Sequence, residues 1–596
     1  MTSRKLQDIH AASSLVLWGS LLFALPQPVM GQQSASTEVQ SIYQQGYQAV
    51  QRRDLASARA AFEKVVQLSP RSPEGHNSLG WVLMVQGEIE RAIRHLRTAV
   101  LLKSDFAQAH FNLAQALALR GERDEAIEHY RESLRLEPTN ADAHRALGLL
   151  LSARGDREAA IGALGRAIEL APARAEFHDE LGSLLAQRLQ WEKAADQFSE
   201  ALRLQPDFAP AHFHLGVVLW RQGKLEQAQQ ALHAAVRLQP QHGQAHYFLG
   251  KVFVQKGEPD LALRSVQEAA RLQPNAAETL NELGLLLQRA GDVEGATAAF
   301  RRVIELEPEN AEAHNNLGLA LLQGGQGDAA VNEFRVALRL RPQDVGFRNN
   351  LGIAFLQKAD FDNALAEFHA GLEEAPRNAE LHYNLGLALK LKDQLGEAIQ
   401  QFRKALELDP NLADAHYTLG VTLWQQGEFA TAVDALRAAV SAKPDYAEAH
   451  YTLGTVLKQM GELQGAVASL REAIRLQPDF AGAHTTLASV LRQLGDTAGA
   501  AAETQAAQEI TKDKTNQQAA TFAINSGRKL LSAGDVEGAI TQFEKATKLA
   551  PGFAPAYYHL GLALRQRGRH AAAQEAFQKA TELDPRLKPP SPGESR

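Results

Sequence analysis

Apolar residues recur along most of the chain in pairs of short runs, each with a helical period. In residues 379–412, for example, Leu385 and Leu389 belong to one run, and Ala398 and Phe402 belong to the next. Residues three or four positions apart share one face of a helix, whereas a half-buried strand alternates apolar and polar residues. The pattern therefore predicts pairs of amphipathic helices and no strands.

These helix pairs repeat with a period of 34 residues. From Val39, fourteen repeats run without a gap to Lys514, residues 515–519 form an insert or hinge, and two further repeats occupy residues 520–553 and 554–587. Alanine stands at the twentieth position of all sixteen repeats, and glycine at the eighth position of fourteen. Glycine separates the two helices in twelve repeats and proline ends the second helix in fourteen, as expected at helix ends. Because one such hairpin cannot bury its own apolar faces, we expect neighbouring repeats to stack into a solenoid.

The repeat resembles the tetratricopeptide repeat. The segment AELHYNLGLALKLKDQLGEAIQQFRKALELDP, residues 379–410, carries the small, aromatic and proline positions of that family in order. The resemblance implies an all-α fold, a right-handed superhelical solenoid of stacked helical hairpins. It also implies that first helices line a concave groove, which would bind a peptide or helix of a partner protein.

The two ends of the chain differ from the repeats. Arg4 and Lys5 precede an apolar stretch at residues 11–25, which is shorter than the roughly 20 residues of a membrane-spanning helix. Residues 1–31 are therefore predicted to be a signal peptide of an exported protein, periplasmic or secreted, without stable membrane insertion after cleavage. The alternative is a membrane anchor formed by an uncleaved N-terminal segment. Residues 32–38 would be a linker, and residues 588–596 a disordered tail.

Composition and net charge exclude some classes of partner and of chemical site. The chain has 596 residues, of which 45% are hydrophobic, and this fits a large globular protein. Its 69 acidic and 62 basic residues give a net charge of -7, which does not favour a nucleic-acid partner. Cysteine is absent, which excludes disulfides, thiolate metal sites and cysteine nucleophiles.

The sequence contains none of the common catalytic motifs. We find no phosphate-binding GxxxxGK[ST] loop, no HExxH helix and no GxSxG elbow. Eleven of the twenty histidines share the fourth position of the repeat, where a ring packed between helices is a better interpretation than a metal ladder. We therefore expect no enzymatic activity, no metal and no cofactor.

Two sets of first-helix residues are candidates for partner binding, since the resemblance places them in the groove. The first is aromatic and basic, and such residues often dominate binding energy and can meet an acidic peptide. The second is a series of asparagines, which can bind a peptide backbone and resembles the asparagine ladder in the repeat region of O-linked N-acetylglucosamine transferases. The alternative is that both sets only follow the family pattern or face solvent. The first set is Tyr383, Tyr417 and Tyr451 at the fifth position with Lys390, Trp424, Lys458 and Arg492 at the twelfth; the second is Asn316, Asn350 and Asn384 at the sixth.

The predicted function is a non-catalytic protein–protein interaction scaffold. One alternative is an accessory or substrate-holding subunit of a separate enzyme such as a glycosyltransferase, because the catalytic domain of the transferases named above is missing here. Another is an assembly factor for envelope or polysaccharide export. Self-association through the groove or the ends of the array is a further alternative.

Overall fold

The computed structural model describes residues 37–587 and residue 589. The predicted signal peptide, nearly all of the predicted linker, and the predicted tail apart from Pro589 lie outside the described residues. Backbone contacts divide the chain into two compact units, Met1–Pro308 and Glu309–Arg596. Helices account for all the regular structure of the described residues, which contain no strand.

In the first unit the described helices are α1 (Thr37–Gln51), α2 (Leu55–Leu68), α3 (Pro73–Val85), α4 (Ile89–Leu102), α5 (Ala107–Arg120), α6 (Arg123–Leu136), α7 (Ala141–Arg154), α8 (Arg157–Leu170), α9 (Ala175–Gln187), α10 (Trp191–Leu204), α11 (Ala209–Arg221), α12 (Leu225–Leu238), α13 (Gly243–Lys256), α14 (Pro259–Leu272), α15 (Ala277–Arg289) and α16 (Val293–Leu306).

In the second unit they are α17 (Ala311–Gln323), α18 (Gly327–Leu340), α19 (Val345–Gln357), α20 (Phe361–Glu374), α21 (Ala379–Leu391), α22 (Leu395–Leu408), α23 (Ala413–Gln425), α24 (Phe429–Ala442), α25 (Ala447–Met460), α26 (Leu463–Leu476), α27 (Ala481–Gln493), α28 (Thr497–Ser532), α29 (Val536–Leu549), α30 (Ala554–Gln566) and α31 (His570–Leu583).

The turn between the two helices of a repeat requires a left-handed residue at the fifteenth position. Twelve repeats place glycine there, for example Gly461 with φ 82°. In the other four repeats this position also has a positive φ, between 57° and 62°. The residues there are Arg53, Leu189, Ala359 and Asp393. The hairpin thus imposes this conformation even on side chains that disfavour it.

Close packing of the two helices explains the small residues. A Cβ atom built on Gly386, at the eighth position of α21, would lie 2.5 Å from Cε1 of Phe402 on α22. Phe402 and the neighbouring Ala398 and Ala405 on α22 are fully buried. The glycine therefore gives the large ring of the same repeat room to lie against the helix backbone.

Successive hairpins stack within each unit, because every second helix also packs against the first helix of the next repeat there. The prediction of an all-α fold built from stacked helical hairpins is confirmed. Buried apolar residues form extended clusters rather than isolated patches, as in α1–α9 of the first unit.

Helix α28 departs from the pattern because it spans 36 residues. It joins the second helix of the fourteenth repeat to the first helix of the fifteenth, and residues 515–519 lie within it. Its Phe522 is 79% exposed. Among the described helices, including this long one, none is both long and apolar enough to cross a membrane.

Candidate functional site

The three tyrosines of the first predicted set lie half-buried on α21, α23 and α25 of the second unit. Tyr383 packs against Phe402 with ring centroids 5.9 Å apart, and its hydroxyl faces the Thr418 side chain of the next repeat. Burial raises the pKa of Tyr383. Tyr417 and Tyr451 each meet the aromatic residue that precedes the next first helix, with centroids 5.1 Å and 4.7 Å apart. The tyrosines therefore contribute to packing while leaving part of each ring exposed.

The residues at the twelfth position of the same row of helices are one tryptophan and three cations. Trp424 is half-buried, and its Nε1–H donates to Gln459 Oε1 of the next repeat at 2.8 Å. Lys390 and Lys458 are half-buried and Arg492 is exposed. These three cations form no ion pair within residues 37–587, whereas the nearby Lys392 Nζ lies 2.6 Å from Asp362. Burial lowers the pKa of the Lys390 ammonium.

We call the seven residues of this set the aromatic–basic surface. They lie on four consecutive first helices, α21, α23, α25 and α27, one repeat apart. Half-exposed apolar side chains at the ninth position, Leu387 and Val421, lie between the two positions on α21 and α23. The arrangement offers aromatic, aliphatic and positively charged groups along one row of helices.

Two asparagines of the second set donate hydrogen bonds to asparagines outside the set, in the preceding repeat. Asn384 Nδ2 donates to Asn349 Oδ1 at 2.8 Å, and Asn350 Nδ2 donates to Asn315 Oδ1 at 2.8 Å. In each case the sixth position of one repeat meets the fifth position of the repeat before it. Asn384 is only 7% exposed. Asn316 is half-buried at the same position of α17.

In the first unit, the contact between the fifth position of one repeat and the sixth position of the next is formed by charged side chains. The sequence analysis did not predict these pairs. Arg145 is buried and its guanidinium contacts both carboxylate oxygens of Glu180, with Nε 2.8 Å from Oε2. His214 Nδ1 lies 2.8 Å from Asp179 Oδ1. A constant separation of 35 residues between complementary polar side chains would have revealed these pairs.

The recurrent histidines connect the first helices that carry them to the chain segment before each helix. In ten of them Nε2 contacts the carbonyl oxygen six residues earlier, as in His382 to Pro376 at 3.2 Å. The described part of the chain contains no group of three or more histidine, aspartate or glutamate side chains placed to hold a metal ion. The contact between histidine Nε2 and the carbonyl oxygen six residues earlier explains why histidine recurs at the fourth position.

A second aromatic group lies on α11 and α13 and was also missed. Trp220 occupies the twelfth position, as Trp424 does, and its ring lies 5.4 Å from that of Phe248. The guanidinium of Arg221 lies 4.6 Å from the Trp220 ring centroid. The shared register with Trp424 was the available sequence signal.

Comparisons with known proteins agree with this architecture. A profile described as tetratricopeptide repeat matches residues 43–104, 77–143, 213–277, 281–345, 451–515 and 524–588, and a TPR repeat profile matches residues 182–223, 391–427 and 423–461. The chain is 36% identical over 70 residues to small glutamine-rich tetratricopeptide repeat-containing protein 2 of Mycosarcoma maydis, a match covering 12% of this chain and 20% of that protein. It is 33% identical over 72 residues to an uncharacterised protein of Methanocaldococcus jannaschii, covering 12% of this chain and 84% of that protein.

Several solved structures are similar over part of the chain. YrrB, described as a TPR protein with an unusual peptide-binding site, is 26% identical, with a TM-score of 0.29 and coverage of 30% of this chain and 93% of that chain. A chain of the APC/C hetero-tetramer Cut9–Hcn1 is 15% identical, with a TM-score of 0.36 and coverage of 77% and 97%. MamA is 23% identical, with a TM-score of 0.27 and coverage of 29% and 94%.

The sequence profile and the structure define the same repeating element. The tetratricopeptide repeat profile matches more than half of the chain, and its matches fall on the helical hairpins described above. The chain therefore belongs to the tetratricopeptide repeat family.

Proposed function

We propose that this chain is a non-catalytic scaffold that binds an acidic segment of a partner protein, extended or helical, along the aromatic–basic surface. Membership of the tetratricopeptide repeat family supports a protein-interaction scaffold in general. The observation that carries the finer proposal is the set of three cations, Lys390, Lys458 and Arg492, which have no ion pair among the described residues and lie on the same row of first helices as the half-exposed aromatic residues.

The electrostatics favour an anionic ligand. A half-buried ammonium without a counter-ion loses hydration, and this is why the pKa of Lys390 is lowered. A partner carboxylate would supply the counter-charge, and charge-assisted hydrogen bonds are about twice as strong as neutral ones. Trp424 and Val421 would contact apolar side chains of the same segment.

The asparagines are less suited to this role. Asn350 and Asn384 already donate to amides of the preceding repeat, so a partner would have to break these contacts or use the remaining bonding capacity. Breaking a buried hydrogen bond costs about 1–3 kcal/mol when a polar group is left unpaired. We therefore place the partner segment on the aromatic–basic surface.

Peptide binding tests this proposal directly. An array of short peptides that vary in net charge and aromatic content is probed with the full chain and with a Lys458→Glu, Arg492→Glu variant. We expect the native chain to retain acidic peptides with apolar residues and the variant to lose them. Lys404→Glu is the matched control, because Lys404 is an exposed second-helix lysine already 2.9 Å from Glu407.

Three results would contradict the proposal. They are equal retention of acidic and basic peptides by the native chain, an unchanged pattern in the double variant, and the same loss in the Lys404→Glu control.

Export remains a sequence-based proposal, resting on Arg4, Lys5 and the apolar residues 11–25. Mass spectrometry of the protein purified from its native cells tests it. We expect the mature chain to begin near Gln32, and an intact N-terminus would instead support the anchor or a non-exported chain.

A further inference from the structure

Two neighbouring repeats of the first unit each contain a pair of histidines that face each other across the hairpin. His76 on α3 and His95 on α4 have their Nδ1 atoms 3.0 Å apart. His110 on α5 and His129 on α6 have theirs 2.9 Å apart. In the other repeats with a polar partner at this place, the partner is glutamine or glutamate.

Hydrogen-bond chemistry fixes where the hydrogens of each pair lie. Nε2 of His76 contacts the carbonyl oxygen of Pro70 at 3.1 Å, and a carbonyl only accepts, so this nitrogen carries a hydrogen. In a neutral ring the other nitrogen then accepts, and His95 must donate from its Nδ1. The same reasoning applies to His110, whose Nε2 lies 3.1 Å from the Ser104 carbonyl oxygen, and to His129.

Each pair therefore keeps its hydrogen bond between the two helices of the repeat only while the first-helix histidine is neutral. A proton added to Nδ1 of His76 would place two N–H donors opposite each other at 3.0 Å. One extra proton can still be accommodated on the outer Nε2 of His95, which leaves the contact intact. The folded pair thus binds one proton fewer than two separate imidazoles bind at low pH.

From this geometry we propose that the second and third repeats form an acid-sensitive part of the array, which opens as the pH falls below the ordinary range of histidine. The ring centroids are 5.2 Å and 5.1 Å apart, the separation expected when the two nitrogens point at each other. This arrangement suits a shared hydrogen. Two nitrogen ligands of a metal would both have to point at one ion about 2.0 Å away.

The surroundings of the first pair reinforce the effect. Burial lowers the pKa of His95, and the neighbouring His76, Arg91 and Arg94 lower it further, while Glu63 on α2 opposes them. The low pKa means that the folded pair resists even its first proton. Stability is therefore present above the ordinary pKa of about 6.5 and falls as the pH decreases below it.

The second pair has a similar environment. Burial and the neighbouring His110 lower the pKa of His129, as does Arg97, whereas Glu125 and Glu128 raise it. Glu125 lies 3.9 Å from the outer Nε2 of His129, so an accommodated proton belongs on that outer nitrogen. Glu132 on the same helix also faces this pair.

Other repeats supply natural comparisons. His484 has an acceptor at each nitrogen, Glu503 at 2.6 Å and the Pro478 carbonyl at 3.0 Å, so its imidazolium form can donate to both. His178 faces Gln197 at 2.9 Å, and an amide can offer either its oxygen or its NH2 group. These contacts tolerate a protonated histidine, so the acid sensitivity argued here belongs to the two His–His pairs and not to the histidines that face glutamine or glutamate.

Hydrogen exchange with mass spectrometry on the full chain, at about pH 7.5 and about pH 5.5 and corrected for intrinsic exchange, brackets the ordinary histidine pKa. We expect the opening equilibrium of α3–α6 to rise by up to about tenfold per pH unit for each proton taken up on opening. Helix α10, which carries Gln197 of the His178–Gln197 contact, should not show this rise. Helix α9 is left out of the comparison because it also carries Asp179, whose contact with His214 has its own pH dependence.

Two variants separate the proposal from general acid loosening. His95→Gln with His129→Gln should remove the pH response of α3–α6. Gln197→His should create a new response in α10, and this variant remains informative if the first one folds poorly. The proposal is wrong if α3–α6 do not respond to pH, if the glutamine variant responds as the native chain does, or if Gln197→His adds no response.

Discussion

Replacing Gly352 with alanine tests how tightly the two helices of one repeat approach. A Cβ atom there would lie 2.4 Å from Cε1 and 2.7 Å from Cζ of Phe368, which is fully buried on α20. Overpacking of this kind costs about 1–3 kcal/mol, whereas alanine favours a helix by up to about 1 kcal/mol over glycine. With the full offset, we therefore expect a net loss of up to about 2 kcal/mol in the free energy of unfolding of this hairpin.

The assay has to be local, because a long repeat array need not unfold in one step. Hydrogen exchange of α19 and α20 reports the opening of the hairpin itself. Gly165→Ala is the matched control, since Gly165 lies within α8 and a Cβ atom there meets no atom within 4 Å. It should stabilise its hairpin by about 0.5–1 kcal/mol. If Gly352→Ala were equally stabilising, close approach to Phe368 would not be what selects glycine.

Three further substitutions probe the turn, the core and the polar contacts. Leu189→Gly should stabilise the fifth repeat by about 1 kcal/mol, measured by hydrogen exchange of its own hairpin, because Leu189 is 68% exposed and has φ 59°, and a loss would mean that its side chain contributes packing. Leu351→Ala should cost about 2–5 kcal/mol by the same method, since Leu351 is buried, and unchanged stability would invalidate the helical register. Burial lowers the pKa of His214, but the neighbouring Asp179 raises it by more, so the pKa lies above its ordinary value. The stability from this contact is therefore present below about pH 6.5 and is lost as the pH rises through the folded pKa. Asp179→Asn should abolish that pH dependence in hydrogen exchange of α9 and α11, and persistence would assign it to other groups.

The fold was predictable because the repeat encodes the same local solution sixteen times. Alanine at the twentieth position and glycine at the eighth follow directly from helix contact, as Ala398 and Gly386 show. Four repeats lack glycine in the turn, and for these the residue type alone does not predict a left-handed conformation. Leu189 and Ala359 nevertheless adopt positive φ, since the two packed helices fix the geometry of the residues that join them.

Contacts between repeats were harder to predict because they run diagonally. A sequence arranged by repeats places Asn350 above Asn384, and this alignment suggests a ladder of equivalent binding groups. In the structure each of these side chains instead meets the fifth position of the preceding repeat, Asn315 and Asn349. The stagger between neighbouring first helices determines that contact, so the 34-residue period does not show it, whereas a search for complementary polar residues 35 positions apart does.

This diagonal pairing also separates the two candidate sets. At the fifth and sixth positions, Arg145–Glu180 in the first unit and Asn349–Asn384 in the second are different solutions to one requirement, which is that neighbouring repeats present complementary polar groups. Recurrence of asparagine is thus explained inside the array. At the twelfth position, Lys390 and Lys458 have no ion pair among the described residues, so contacts within the described array do not account for their recurrence. A ligand that brings negative charge to this surface would account for it, and for this reason the charge-reversal experiment on Lys458 and Arg492 is the more decisive test of function.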